Sequence, residues 1–138
     1  MHRNPNRPMS PHLTIWKWGP HMLVSILHRV SGTGLAIFGA IAFVWWLLAG
    51  ADGPEAYDGF FDLFTVESGK LNILGYVFGI GLTWAFFQHA LSGLRHFVMD
   101  MGAGYELSTN KFWAMMTLIG GIVLTLALWA WILLGRGA

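Results

Sequence analysis

Three long apolar stretches, residues 22–50, 71–99 and 112–134, dominate this chain of 138 residues. Each reaches the ~20 residues that a helix needs to cross a bilayer. Hydrophobic residues make up 55% of the sequence and charged residues 11%, where a soluble domain carries about a quarter charged. The expected fold is an all-α membrane protein of three transmembrane helices with antiparallel neighbours. The expected division is an interfacial N-terminal segment, 1–20, followed by a three-helix anchor, 21–138. The length leaves no room for a separate soluble domain.

The net charge of +1 is uninformative, but the placement of the charges is not. Arg3, Arg7, Lys17 and Arg29 precede or open the first span, and Arg95 and Lys111 flank the second connection. Only Lys70 and Arg136 lie at the opposite ends. The positive-inside rule then predicts a cytoplasmic N-terminus and an outward C-terminus. The acidic first connection, with Asp52, Glu55, Asp58, Asp62 and Glu67, fits the outer side.

There is no cysteine, which excludes disulfides, iron-sulfur ligation and covalent haem attachment within the chain. Any redox centre must be held by nitrogen or oxygen. Pro5, Pro8, Pro11 and Pro20 deny the N-terminal segment a long helix, because each ring removes a donor and restrains the residue before it. Its aromatic residues suit the membrane interface. With no Arg- and Ser-rich leader ahead of it, a bacterial inner membrane is expected.

Pro20 is placed to open the first helix, where a missing N–H costs nothing, and the run Gly50-Ala-Asp-Gly-Pro54 to close it. Gly32, Gly34 and Gly39 thin one side, so that a neighbouring helix or a flat cofactor can approach. Ser25, His28 and Arg29 fall at i, i+3 and i+4, one helical face. That face can hydrogen-bond a carbonyl or carboxylate at the membrane boundary, or Arg29 can simply snorkel to headgroups.

His89, Gly93 and His96 fall at i, i+4 and i+7 on the second span. His89 lies about 15 Å from the end of the span at ~1.5 Å per residue, deep in a ~30 Å apolar layer. A buried imidazole there is a ligand or relay by default, or a hydrogen-bonded link between helices. As a haem ligand it would have Gly93 for clearance, with Arg95 and His96 nearer the boundary as partners for propionates. His89 is the only histidine expected at that depth. A second axial ligand would come from another chain, making this one part of a heteromeric helix bundle. The histidines show no zinc-binding spacing, and phosphate loops, nucleophile elbows and intramembrane carboxylate pairs are absent from the sequence.

The strings Arg7-Pro-Met-Ser-Pro-His-Leu-Thr-Ile-Trp-Lys-Trp18, Ser25-Ile-Leu-His-Arg-Val-Ser-Gly32 and His89-Ala-Leu-Ser-Gly-Leu-Arg-His-Phe-Val-Met-Asp100 together resemble the large cytochrome b membrane-anchor subunits of succinate dehydrogenase, respiratory complex II. The likeness runs from Arg7 to Asp100; the third span matches only in kind. It implies a non-autonomous subunit that pairs with a small membrane anchor in the lipid bilayer, seats iron-sulfur and flavoprotein subunits, and has no nucleic-acid partner. Electrons from succinate would pass from the iron-sulfur subunit to ubiquinone.

By the same resemblance, Ser25 and Arg29 line the quinone pocket, with Trp18 and Leu13 as its wall. His89 is one axial ligand of haem b, and the small anchor supplies the other. His28, Arg29, Arg95 and His96 lie in the haem propionate region. Leu13 stands where the mitochondrial pattern has isoleucine, a volume-conserving exchange. No flavin fingerprint is present, so succinate is oxidised elsewhere. The alternatives are a fumarate reductase anchor, or a structural or proton-conducting small membrane protein. The last is disfavoured by the lack of an acidic residue inside the apolar spans.

Overall fold

The structure, a computed structural model, describes residues 17–135. Among the described residues, three helices are long and apolar enough to cross a membrane: Pro20–Asp52, Ile73–Asp100 and Leu107–Gly135. The first is built of α1 (Pro20–Gly34), a π-helical turn over Leu35–Gly39 and α2 (Ala40–Asp52). It is followed by a short α3 (Pro54–Asp62), then α4 (Ile73–Asp100) and α5 (Leu107–Gly135).

The chain's punctuation explains these boundaries. Pro20 occupies the first turn of α1, where its absent donor is not missed. Gly53, at φ +115°, ends α2 in a conformation that side chains rarely tolerate, and Pro54 starts α3 directly behind it. α3 folds back so that Phe60 meets the Trp45 ring edge-on at 4.8 Å. The sequence reading treated this region only as an acidic connection.

Asn72 then opens α4 by accepting the Gly75 N–H at 2.8 Å, a cap that supplies one of the helix's orphan donors with an acceptor. Its amide nitrogen donates back to the Leu63 carbonyl at 2.9 Å, tying the connection to the helix. α5 begins five residues before the expected boundary at 112. Its first turn, Leu107-Ser-Thr-Asn-Lys111, is polar, and apolar content alone does not detect it.

α4 packs against both α1 and α5, and α1 also touches α5, whereas α2 packs on α3 and on neither α4 nor α5. Contact between the first span and α4 therefore stops at the π-helical turn. There the Ala40 N–H reaches back to the Leu35 carbonyl, a one-residue excess that shifts the register of the two halves.

The packing is inverted relative to a soluble protein. Among the described residues, Ser31, Gln88, Ser92, Thr117 and Thr125 are buried, while large apolar side chains such as Phe38, Ile41, Val77, Phe97, Leu126 and Trp131 are exposed. Lipid tails are as apolar as leucine, so helices cohere through small and polar groups instead. Thr125 and Thr117 return their hydroxyls to the carbonyls of Gly121 and Ala114, at 2.7 and 2.8 Å, so neither is left unpaired. Gly121 admits Gln88: a Cβ there would stand 2.9 Å from the Gln88 Oε1.

Candidate functional site

α1 and α4 each carry the pattern His-x-x-Ser: His28 with Ser31, and His89 with Ser92. Three residues is just under one turn, so each histidine and its serine share a face. Where the two faces meet, each helix's serine holds the other helix's histidine. Ser31 Oγ lies 3.3 Å from His89 Nδ1, and Ser92 Oγ lies 2.6 Å from His28 Nδ1. Ser31 and Ser92 are buried.

A carbonyl partner fixes the proton of His89. His89 Nδ1 is also 3.0 Å from the His28 carbonyl oxygen, which only accepts, so Nδ1 carries the hydrogen and Nε2 carries the lone pair. Ser31 donates its own hydroxyl to that carbonyl at 3.2 Å and is left as a second acceptor for His89. Ser92 Oγ has His28 Nδ1 as its one partner among the described residues, and a hydroxyl serves either tautomer of that ring. The network thus assigns the tautomer of His89.

The rings of His28 and His89 stack at 4.0 Å between centroids and 6° between planes. His96 joins at 4.9 Å from His28. This corrects the expectation that His89 is the only deep histidine. His28 lies eight residues inside Pro20 and His89 eleven inside Asp100, about 12 and 16 Å at 1.5 Å per residue. Parallel rings in van der Waals contact leave no room for a metal macrocycle between them, so the two cannot ligate one iron from opposite faces. Among the described residues no three His, Asp or Glu side chains are arranged to hold a metal ion.

Gly32 makes the stacking possible. A Cβ on it would stand 2.6 Å from His89 Cε1, so the His89 ring lies directly on the α1 backbone. A Cβ on Gly93 would stand 3.7 Å from His28 Cε1, an ordinary contact, so this glycine borders His28 without being pressed against it. A Cβ on Gly34 would enter open space. Gly32→Ala is expected to displace the His89 ring and to cost about 1–3 kcal/mol, as overpacking does. Thermal unfolding of the variant in detergent measures that loss; an unchanged midpoint would contradict the close approach.

Ser25 and Arg29 lie on the boundary side of the cluster. An Arg29 terminal nitrogen donates to Ser25 Oγ at 3.3 Å, and Arg29 is exposed, so most of its donors are turned outward. Trp18 is 61% exposed near the start of α1. Leu13, like the rest of residues 1–16, falls outside the described residues. Arg95 is not brought to the histidines. One residue before His96, it is turned about 100° around α4 and donates to Asn110 Oδ1 on α5. The sequence reading missed Ser31 and Ser92, although the repeated His-x-x-Ser spacing was there to find them.

The fold and this cluster define a multi-pass helical membrane protein with a histidine-lined site at the seam of two spans. Residues 3–128 match the family described as succinate dehydrogenase/fumarate reductase transmembrane subunit, and the chain belongs to that family. The succinate dehydrogenase cytochrome b556 subunit of Paracoccus denitrificans is 33% identical over 86% of both chains. The subunit of the same name from Rickettsia conorii is 32% identical over 89% of this chain and 90% of its own. The mitochondrial cytochrome b560 subunit of Mus musculus is 38% identical over 74% of this chain and 57% of its own.

Proposed function

We propose that this chain is the large anchor of a succinate dehydrogenase complex, which holds a b-type haem at His89 and forms part of the site where ubiquinone is reduced. The observation that carries the reading is the tautomer of His89. Its Nδ1–H is committed to the His28 carbonyl, so Nε2 offers a lone pair, the protonation state that a haem ligand requires. The relatives are named as cytochromes b, which supports that group. Because His28 is stacked on His89 rather than opposed to it, the second axial ligand is assigned to a small anchor subunit.

The other residues take roles consistent with their donors. His28 and His96 beside it are suited to propionate carboxylates at the boundary side of the cluster, and the Arg29 guanidinium adds fixed charge there. The haem, when bound, supplies a one-electron reservoir. Ser25 and Arg29 would donate to a quinone oxygen as it gains charge, and donors already aimed at such an oxygen need no reorganisation when the charge appears. Trp18 and Leu13 would form the apolar wall for the ring.

The iron-sulfur and flavoprotein subunits would dock on the face where α1 begins. The basic residues at that end set it on the cytoplasmic side of a bacterial inner membrane. The N-terminal residues 1–20 would form the interfacial segment. The family description also includes fumarate reductase, and the two are separated by comparing rates with ubiquinone and with a menaquinol donor.

Affinity purification of the chain from its native membrane tests the whole reading. Three accompanying subunits, a reduced-minus-oxidised b-type spectrum and succinate-dependent ubiquinone reduction are expected. A stable chain without companions or haem would overturn it.

A further inference from the structure

Between α4 and α5, at the end of the bundle closed by the Met101 to Glu106 connection, lies a cavity of about 390 Å3. Leu94, Val98, Trp113 and Met116 give it apolar walls, and Arg95 and Asn110 are its principal polar groups. Arg95 donates to the Asn110 amide oxygen, a neutral partner. Its Nε is buried with no hydrogen-bond partner, and among the described residues the guanidinium forms no ion pair. The Asn110 amide nitrogen reaches only the Met99 sulfur, at 3.4 Å, a weak acceptor. Donors and a positive charge therefore stand at the rim of an apolar chamber without an anion to meet them.

An uncompensated cation beside apolar surface is costly, and the cost falls when a counter-ion is supplied. The depth is right for a membrane headgroup. Arg95 lies five residues before the end of α4 at Asp100, about 7.5 Å along the axis, where a long side chain reaches the phosphate level. We propose that this cavity is a binding site for one phospholipid, its phosphate on Arg95 and Asn110 and an acyl chain along Leu94, Val98, Trp113 and Met116. A phospholipid brings the anion and the apolar tail in one molecule. A quinone matches the chamber's apolar walls but carries no charge for the guanidinium. The site is separate from the histidine cluster and does not depend on haem or quinone binding there.

The test uses the chain purified in detergent with whatever subunits accompany it, followed by lipid extraction and quantitative mass spectrometry. The unmodified protein is expected to retain phospholipid through detergent exchange, and Arg95→Gln to lose one equivalent per complex. Arg95→Lys, which keeps the charge, is expected to retain part of it. Met116→Trp, which obstructs the apolar end and leaves the cation in place, is expected to lose the same equivalent.

Adding back phosphatidylglycerol should raise the melting temperature of stripped unmodified protein but not of Arg95→Gln. Equal phospholipid content in the unmodified protein, Arg95→Gln and Met116→Trp would overturn the proposal. So would loss of bound ubiquinone, rather than phospholipid, on changing Arg95. An acidic side chain from a companion subunit as the true counter-ion would appear as unchanged lipid content and would equally overturn it.

Discussion

His89→Ala is expected to abolish the b-type absorption bands of the purified complex, because among the described residues no other histidine is placed to take over the position proposed for the ligand. His28 is the nearest candidate, but its Nδ1 is held by Ser92 at 2.6 Å and its ring lies flat against the place His89 occupies. The measurement is the dithionite-reduced minus oxidised spectrum, normalised to covalently or tightly bound flavin so that assembly is scored separately. Loss of the bands at constant flavin is the expected result. Full retention of an unshifted spectrum would remove His89 from the iron and leave the cluster as a purely structural link between helices.

Arg29→Ala is expected to lower succinate-driven ubiquinone reduction by about 100-fold, the scale on which a preorganised donor to developing charge is worth its presence. Reduction of a soluble dye by succinate should persist, since that electron path ends before the membrane. The split arises from position: Arg29 is exposed and bonded only to Ser25 on its own helix, so its removal leaves the α1–α4 packing untouched. Ser25→Ala should give a smaller defect of the same kind. If ubiquinone and dye activities fall together, the arginine serves assembly and not the pocket.

Much of the architecture was legible from the sequence because a bilayer restricts the choices so severely. The length of three apolar runs is sufficient for three spans, and Pro20 and Gly53-Pro54 mark the ends of the first because their backbone chemistry acts locally. What escaped depends on contacts between distant residues. The π-helical turn at Leu35–Gly39 has no composition of its own, α3 shows only in the way Phe60 turns back on Trp45, and the polar first turn of α5 reads as a loop when apolarity is the only guide.

The site divides in the same way. Periodicity placed Ser25, His28 and Arg29 on one face and His89 with His96 on another. It could not say that the two faces touch, so His28 was set near the boundary instead of against His89. Arg95 illustrates the limit most sharply: one position from His96 in sequence, it faces a different helix and a different chamber.

The inverted interior has a consequence for engineering this chain. Its helices recognise one another through hydroxyls, an amide and bare backbone, so greasier does not mean sturdier. Ser92→Leu would score as an improvement on any hydropathy scale, yet it would sever a link between α1 and α4 and push them apart, and the variant should melt earlier than its parent.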